Sequence, residues 1–103
     1  MRSRYAAYVL NKALYIIQTT HPKNIDFNEN IISWQKSIEE FSRNYTFKKL
    51  TILEFIENQT RSYVTFTAHI TLDNQDCSFT EKSSFEKLNN KWLYLNSVKT
   101  FNK

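Results

Sequence analysis

The hydrophobic pattern divides the chain into a first half with helical spacing and a second half with strand spacing. Residues 2–19 carry apolar groups around most of a helix circumference, so they predict one long helix that is buried on nearly every side. Pro22 restricts His21 to an extended backbone and therefore ends this helix.

A second helix is predicted over residues 27–43, where the apolar side chains form a single stripe. Asp26 and Glu29 have the spacing of a capping box, in which side chains accept the free amide hydrogens of the first turn. One apolar stripe on an otherwise polar helix indicates that the helix lies on the surface of the domain. The stripe consists of Phe27, Ile31, Trp34, Ile38, Phe41 and Tyr45.

From Tyr45 onward the apolar period changes to two, which is the period of a β-strand. Four strands are predicted, over residues 47–57, 62–72, 77–88 and 91–99. Short polar breaks separate them, and the Asn89-Asn90 pair suits a two-residue hairpin turn. Two helices followed by four antiparallel strands indicate a single α+β domain over residues 1–103.

Strict alternation also assigns faces to the last two strands. It places Glu81 on the same face as Phe79 and Phe85, which should be the buried face. In the final strand it places Tyr94 and Val98 together on one face. Glu81 is therefore expected inside the domain.

The composition excludes several kinds of site. The chain has no glycine, which excludes glycine-rich phosphate loops and the Gly-x-Ser-x-Gly nucleophile motif. Its single cysteine, Cys77, can form neither an internal disulfide nor a zinc cluster, which favours the reducing cytoplasm. The two histidines lie far apart without spaced acids, so neither a metal nor a cofactor is expected.

The net charge of +4 comes from scattered basic residues, and Lys48-Lys49 is the only adjacent basic pair. Nucleic-acid binding is therefore not expected, because a footprint needs basic residues clustered on one face. No apolar run approaches the ~20 residues that span a bilayer, and the N-terminus lacks the pattern of a signal peptide. We expect neither membrane association nor secretion.

Glu81 is the main candidate for chemistry, because a carboxylate on a buried face must be paired, hydrogen-bonded or protonated. One interpretation is an ion pair with Arg2 or Arg4, with the other arginine in water, since residues two apart on a helix diverge. Another is a general base or a ligand-binding carboxylate inside the domain, with His21 as the better candidate for a catalytic histidine partner. Exposure of Glu81 through a strand bulge is the third.

Several short motifs are similar to the central domain of the YchJ family of uncharacterised bacterial proteins. The motifs are Met1-Arg2-Ser3-Arg4-Tyr5, Thr20-His21-Pro22, Tyr63-Val64-Thr65-Phe66-Thr67-Ala68, Glu81-Lys82-Ser83-Ser84-Phe85 and Lys91-Trp92-Leu93-Tyr94. The resemblance implies a cone-shaped fold like that of nuclear transport factor 2, also described as cystatin-like. There a curved antiparallel four-stranded sheet wraps the long N-terminal helix, with the second helix packed alongside.

The resemblance and the strand faces together single out one set of pocket or motif residues. They are Arg2, Arg4, Tyr5, Tyr8, His21, Trp34, Phe66, Glu81, Ser83, Phe85, Trp92 and Tyr94. The family usually carries cysteine-rich, metal-binding segments beside this domain. Cys77 is the only cysteine here, so we expect no zinc-dependent role.

The function expected from these patterns is that of a non-catalytic binding or accessory module in the bacterial cytoplasm, with a small molecule or a protein as its partner. A homodimer is expected through the polar-aromatic strand face that contains Tyr63, Thr65, Thr67 and His69. The alternative is an isomerase- or dehydratase-like enzyme that uses Glu81 or His21 in an interior pocket.

Overall fold

The computed structural model describes residues 2–101, except for the side chains of the last two of them. The expected domain of residues 1–103 therefore includes three positions, Met1, Asn102 and Lys103, that lie outside the described residues. The described chain is α+β, with helices followed by an antiparallel sheet. The helices are α1 (Arg2–Val9), α2 (Ala13–Gln18) and α3 (Ile31–Asn44), and the strands are β1 (Thr46–Glu57), β2 (Arg61–Leu72), β3 (Gln75–Asp76), β4 (Phe79–Leu88) and β5 (Lys91–Phe101).

The N-terminal segment forms two helices, so the prediction of one long helix over residues 2–19 is wrong. Helix α1 closes with two backbone hydrogen bonds, from Lys12 N–H to the Ala7 carbonyl (2.7 Å) and from Asn11 N–H to the Tyr8 carbonyl (3.2 Å). This pair of bonds is a Schellman motif, which requires a left-handed residue after the helix. Asn11 takes that conformation at φ 56°, a role that glycine usually fills.

Helix α3 begins at Ile31, four residues after the predicted start at position 27. Its cap is Asn30, whose side chain accepts a hydrogen bond from Ser33 N–H at 3.1 Å. The predicted capping box of Asp26 and Glu29 is therefore wrong. Asn30 is the N-cap residue because its amide oxygen reaches the N–H of the third helical residue.

The sheet has the order β1-β2-β4-β5, and the short strand β3 pairs with β2. The four long strands begin and end within two residues of the predicted limits, and β3 is an additional two-residue strand. The hairpin between β4 and β5 turns at Asn89 and Asn90, which have φ of 52° and 64°. Positive φ at both positions confirms the predicted two-residue turn.

Strand β5 contains one extra residue that simple alternation does not predict. Tyr94 lies opposite Phe85 and Ser97 lies opposite Ser83, so three residues of β4 face four of β5. The bulge moves Val98 to the other face, where it is 73% exposed. The prediction that Val98 shares a face with Tyr94 is wrong for this reason.

Two buried clusters fill the domain. One lies between the helices and contains Ala7, Ala13, Ile16, Ile17, Trp34 and Ile38. The other lies on the sheet and contains Val64, Phe66, Ala68, Ile70 and Phe85. Tyr8 connects the helices to the sheet, because its ring packs against both Phe41 and Phe47.

The end of α2 is attached to β5 through the backbone. Tyr94 N–H donates to the Thr19 carbonyl and His21 N–H donates to the Tyr94 carbonyl, both at 2.8 Å. These bonds fix the end of α2 to the edge strand β5. None of the helices in the described chain has the length and apolar character needed to cross a membrane.

Candidate functional site

A cavity of about 450 Å³ lies between the helices and the inner face of the sheet; we call it the cone cavity. Much of its wall is aromatic, formed by Tyr5, Trp34, Phe41, Phe47, Phe66 and Phe79. Its polar groups include Arg4, Tyr8, Glu81, Tyr94 and Lys99. A cavity of this size with apolar walls and a few polar groups is typical of sites that hold small organic molecules.

Glu81 borders this cavity and is 5% exposed, as its position on the strand predicts. Its Oε2 accepts hydrogen bonds from Ser83 Oγ and from Tyr94 Oη, the latter at 3.2 Å. Its Oε1 lies 3.7 Å from Nζ of Lys99, which is directly opposite on β5. Among the described residues Lys99 is the basic partner of Glu81, so the predicted ion pair with Arg2 or Arg4 is wrong.

Tyr94 ties Glu81 to the final strand. Its Oη lies 2.7 Å from Ser97 Oγ as well as near Glu81, and a phenol has one proton to donate. All three groups are satisfied when Ser97 donates to Tyr94 and Tyr94 donates to Glu81. Burial, and then the neighbouring Glu81 charge, raise the pKa of Tyr94 well above its ordinary value. This series of hydrogen bonds depends on the extra residue in β5, because that residue turns both Tyr94 and Ser97 to the cavity side of the sheet.

Arg4 is 7% exposed and joins α1 to the end of α2. Its Nη1 donates to the Ile16 carbonyl at 3.1 Å, and it lies 2.6 Å from Thr19 Oγ1 and 3.4 Å from Thr20 Oγ1. The guanidinium carbon lies 4.6 Å from the centre of the Tyr94 ring. Burial lowers the pKa of Arg4 from its usual value. Arg2, by contrast, is exposed and borders neither of the cavities.

His21 is buried, at 3% exposure, but it does not border the cone cavity. Its Nε2 lies 2.8 Å from Oε1 of Glu86, and its Nδ1 accepts a hydrogen bond from Lys23 N–H at 3.0 Å. Because Nδ1 is an acceptor, the proton of the neutral ring sits on Nε2 and is donated to Glu86. The carboxylate partner of His21 is therefore Glu86, and the interpretation that paired His21 with Glu81 is wrong.

Glu86 also binds Arg61, whose Nη2 lies 2.9 Å from Oε2 of the carboxylate. The hydrogen bond from His21 lowers the pKa of Glu86, and Arg61 adds to this effect. Sequence reasoning missed Lys99, Arg61 and Glu86. The register of the β2–β4 pairing contains the signal for two of them, since Arg61 lies directly opposite Glu86.

A second cavity of about 550 Å³ lies between the N-terminal helices and the other end of the sheet. Phe85 and Trp92 border this second cavity, and neither borders the cone cavity. Arg4 borders both. The predicted pocket set is thus divided between two cavities. Ser83, also in that set, is fully buried and contacts Glu81.

The described residues contain no group of three His, Cys, Asp or Glu side chains that could hold a metal ion. The arrangement offers hydrogen-bond donors, two acidic side chains (buried Glu81 and exposed Asp26) and two basic side chains, Arg4 and Lys99, around an apolar space. Such a site can orient an organic molecule through its polar end while the aromatic wall contacts the rest.

Comparison with known proteins places the chain in a bacterial family. The sequence model of the middle NTF2-like domain of YchJ matches residues 1–97. A UPF0225 protein of Pectobacterium carotovorum is 35% identical over 95% of this chain and 63% of that protein. A UPF0225 protein of Haemophilus influenzae is 32% identical over 92% of this chain and 56% of that protein.

The solution structure of an SEC-C motif containing protein from Rhodopseudomonas palustris has the same fold. It superimposes with a TM-score of 0.82 and 29% identity, over 95% of this chain and 73% of that chain. The chain studied spans 56% and 63% of the length of the two UPF0225 relatives, so it corresponds to one part of those proteins. The domain has an NTF2-like fold and belongs to the YchJ family.

Proposed function

We propose that this domain is a non-catalytic binding module that holds a small organic molecule in the cone cavity. The observation that carries the proposal is a cavity of about 450 Å³ with a buried carboxylate, Glu81, among aromatic walls. The aromatic wall stabilises an apolar ligand body by removing it from water. The polar groups at one end then determine its orientation.

The surroundings of Glu81 favour binding over catalysis. Oε2 already accepts hydrogen bonds from Ser83 and Tyr94, and Oε1 lies near Lys99. A general base must present an acceptor to the proton that it removes, and a second acid-base group usually assists it. His21 does not supply that group, because it is paired with Glu86 away from the cone cavity.

The binding proposal is tested with the two tryptophans, one at each cavity. The indole N–H of Trp34 reports on the cone cavity and that of Trp92 on the second cavity, after assignment through Trp34→Phe and Trp92→Phe. Fragments of about ten to fifteen heavy atoms should shift the Trp34 signal in two-dimensional NMR spectra. A screen in which no fragment shifts Trp34 would contradict the proposal.

A cavity-filling variant sharpens this test. Ala68 is 4% exposed and borders the cone cavity, so Ala68→Phe should occupy the space and abolish fragment binding. The matched control is Ala6→Phe, which adds the same ring at an exposed position of α1 and should leave binding unchanged. Equal binding by both variants would place the fragments outside the cone cavity.

The alternative function is an isomerase- or dehydratase-like enzyme in which Glu81 Oε1 removes a proton from the bound molecule. Burial of Glu81 beside the cavity is the observation that favours it. This alternative predicts exchange of a carbonyl ligand's α-hydrogens in D₂O with the native protein and none with Glu81→Gln. Binding without exchange by the native protein supports the non-catalytic module.

The proposal also places the domain in the cytoplasm as a homodimer. The single cysteine, Cys77, supports a reducing compartment. The outer sheet face supports the dimer, because half-buried Tyr63 and Thr65 of β2 lie on it, and so does Val98 of β5, which is 73% exposed. Light scattering at micromolar concentration should give a dimer mass that Val98→Lys reduces to a monomer mass. A monomer mass for the native chain would contradict the dimer.

A further inference from the structure

We propose that the cone cavity accepts a monovalent carboxylate with an apolar body, and that Arg4 binds the carboxylate group. The inference rests on the proposed binding function and names the class of its ligand. Three features of the cavity lead to it: the free donors of Arg4, the charge of the polar groups, and the hydroxyl of Tyr8.

Arg4 is a buried cation without an anionic partner among the described residues. All of its hydrogen bonds leave from Nη1, toward Ile16, Thr19 and Thr20. Nε and Nη2 donate none, yet both keep accessible surface, and Arg4 borders the cone cavity. A guanidinium presents these two nitrogens side by side, which matches the two oxygens of a carboxylate.

Among the charged residues that border the cavity, Arg4 is the buried one without an ion-pair partner. Lys99 and Glu81 lie 3.7 Å apart and neutralise each other, so Arg4 remains. Asp26, the other acidic residue on the lining, is exposed and screened by water. A ligand carboxylate would therefore give the buried Arg4 an anionic partner, whereas an ammonium would be repelled by it.

Tyr8 supplies a further donor on the same side. Its hydroxyl makes no hydrogen bond to a described residue but is not sealed from the cavity, which it borders. Arg4 and Tyr8 are four residues apart on α1, which places them on the same face of that helix. The two groups can therefore meet one carboxylate together. Tyr8 borders the cone cavity and not the second cavity, so the ligand is assigned to the cone cavity.

Three ligands with one apolar body test the inference on the native protein: 3-phenylpropanoate, 3-phenylpropanamide and 3-phenylpropylamine. The carboxylate should shift the indole signal of Trp34 in a saturable way and bind about tenfold or more tightly than the amide, with the amine weakest. The signal of Trp92 should stay in place, because that ring borders the second cavity.

The outcomes separate the two proposals. If the amide or the amine shifts Trp34 at the same or lower concentration than the carboxylate, the carboxylate inference is wrong while the binding function stands. If the carboxylate shifts Trp92 and not Trp34, the assignment to the cone cavity is wrong. If none of the three ligands shifts either tryptophan, the carboxylate inference is wrong, and the fragment screen described above decides the binding function.

A pair of arginine variants then tests the role of Arg4. Arg4→Lys keeps the charge but loses the paired donors, so carboxylate affinity should fall about tenfold while amide affinity is unchanged. Arg2→Lys is the matched control at an exposed position and should change neither affinity. Unchanged carboxylate affinity in Arg4→Lys would overturn the role of Arg4. If Arg4→Lys does not fold, the three-ligand series on the native protein still decides.

Discussion

Two glutamates on strand β4, Glu81 and Glu86, differ in their burial and in how closely they contact basic side chains. Glu81 is 5% exposed, accepts hydrogen bonds from two hydroxyl groups, and has its basic partner at 3.7 Å beside the cone cavity. The side chain of Glu86 is 29% exposed and lies 2.8 Å from His21 and 2.9 Å from Arg61, away from that cavity. The close ion-pair network joins the segment after α2 to β2 and β4, whereas the loosely paired carboxylate borders the cone cavity.

Removing the histidine of the network should have the largest effect on stability. His21→Ala deletes a buried ring together with its bonds to Glu86 and to the backbone of Lys23. We expect a loss of about 2–4 kcal/mol in the free energy of unfolding, measured by urea titration. The control is His69→Ala, on the half-buried outer face, which should lose less than about 1 kcal/mol. Equal losses would show that His21 has no special role.

Removing the cavity carboxylate should have a smaller effect. Glu81→Ala leaves the fully buried hydroxyl of Ser83 without its acceptor, which costs about 1–3 kcal/mol. The double variant Glu81→Ala with Ser83→Ala should lose less than the sum of the single losses, because one interaction is removed in both. Additive losses in a urea-based double-mutant cycle would mean that the two side chains act independently.

Glu86 should also make the stability of the protein depend on pH in the acid range. The hydrogen bond from His21 lowers the pKa of Glu86 in the folded state below its ordinary 4.5. The stability that Glu86 contributes is therefore fully present above that pH and is lost as the pH falls through the lowered folded-state pKa. The melting temperature of Glu86→Gln should fall less than that of the native protein over this range.

Asp76 needs its own control in that experiment. Hydrogen bonds from Ser78 lower the pKa of Asp76, so this residue contributes acid sensitivity of the same sign. Asp76→Asn should flatten the acid limb separately from Glu86→Gln, and the combined variant should flatten it further. An acid limb that Glu86→Gln leaves unchanged would contradict the role of the His21–Glu86 contact.

The smallest effect on stability should come from replacing Arg61, the exposed member of the ion-pair network. The side chain of Arg61 is 44% exposed, and exposed ion pairs contribute little because water and salt screen them. Arg61→Met should lower the melting temperature less than His21→Ala does, and the difference from the native protein should vanish at about 1 M salt. A loss as large as that of His21→Ala would show that Arg61, and not His21, holds Glu86 in place.

The sequence predicts the central strands well because they alternate without interruption. Phe66 and Glu81 lie opposite each other on the face that their period of two assigns. The same rule fails in β5, where one extra residue separates Tyr94 from Ser97 and reverses the face of Val98. A bulge has no strong sequence signal of its own, so alternation can be followed only as far as the first irregularity.

The prediction of one long N-terminal helix fails for a different reason. Residues 10–12 carry no proline or glycine, so periodicity alone runs one helix through them. The break depends on Asn11 adopting a positive φ, which asparagine tolerates but does not enforce. Tertiary packing decides between one helix and two. The break at Asn11 lets Arg4 contact the end of α2, which lies twelve to sixteen positions further along the sequence. Such long-range contacts are outside the reach of a local pattern.

The sequence predicted which residues belong to the candidate site better than it predicted which of them contact each other. Burial of Glu81 follows from its strand face, but its partner Lys99 depends on the pairing of β4 with β5 across the bulge. Conversely, His21 stood out by residue type, and its true partner Glu86 did not. Residue type and face identify which groups are buried, whereas strand register determines which of them meet.

The attachment of residues 19–21 to β5 also has a consequence for how the protein avoids sticking to itself. An edge strand exposes backbone N–H and C=O groups that can recruit a strand from another molecule. At Tyr94 both groups are already bonded to Thr19 and His21. The opposite edge, β1, has two register irregularities, after Phe47 and after Ile52, which disfavour flat pairing. Both edges of the sheet thus carry a local obstacle to further strand pairing, and on β5 it is the segment after α2, which occupies the backbone groups of Tyr94.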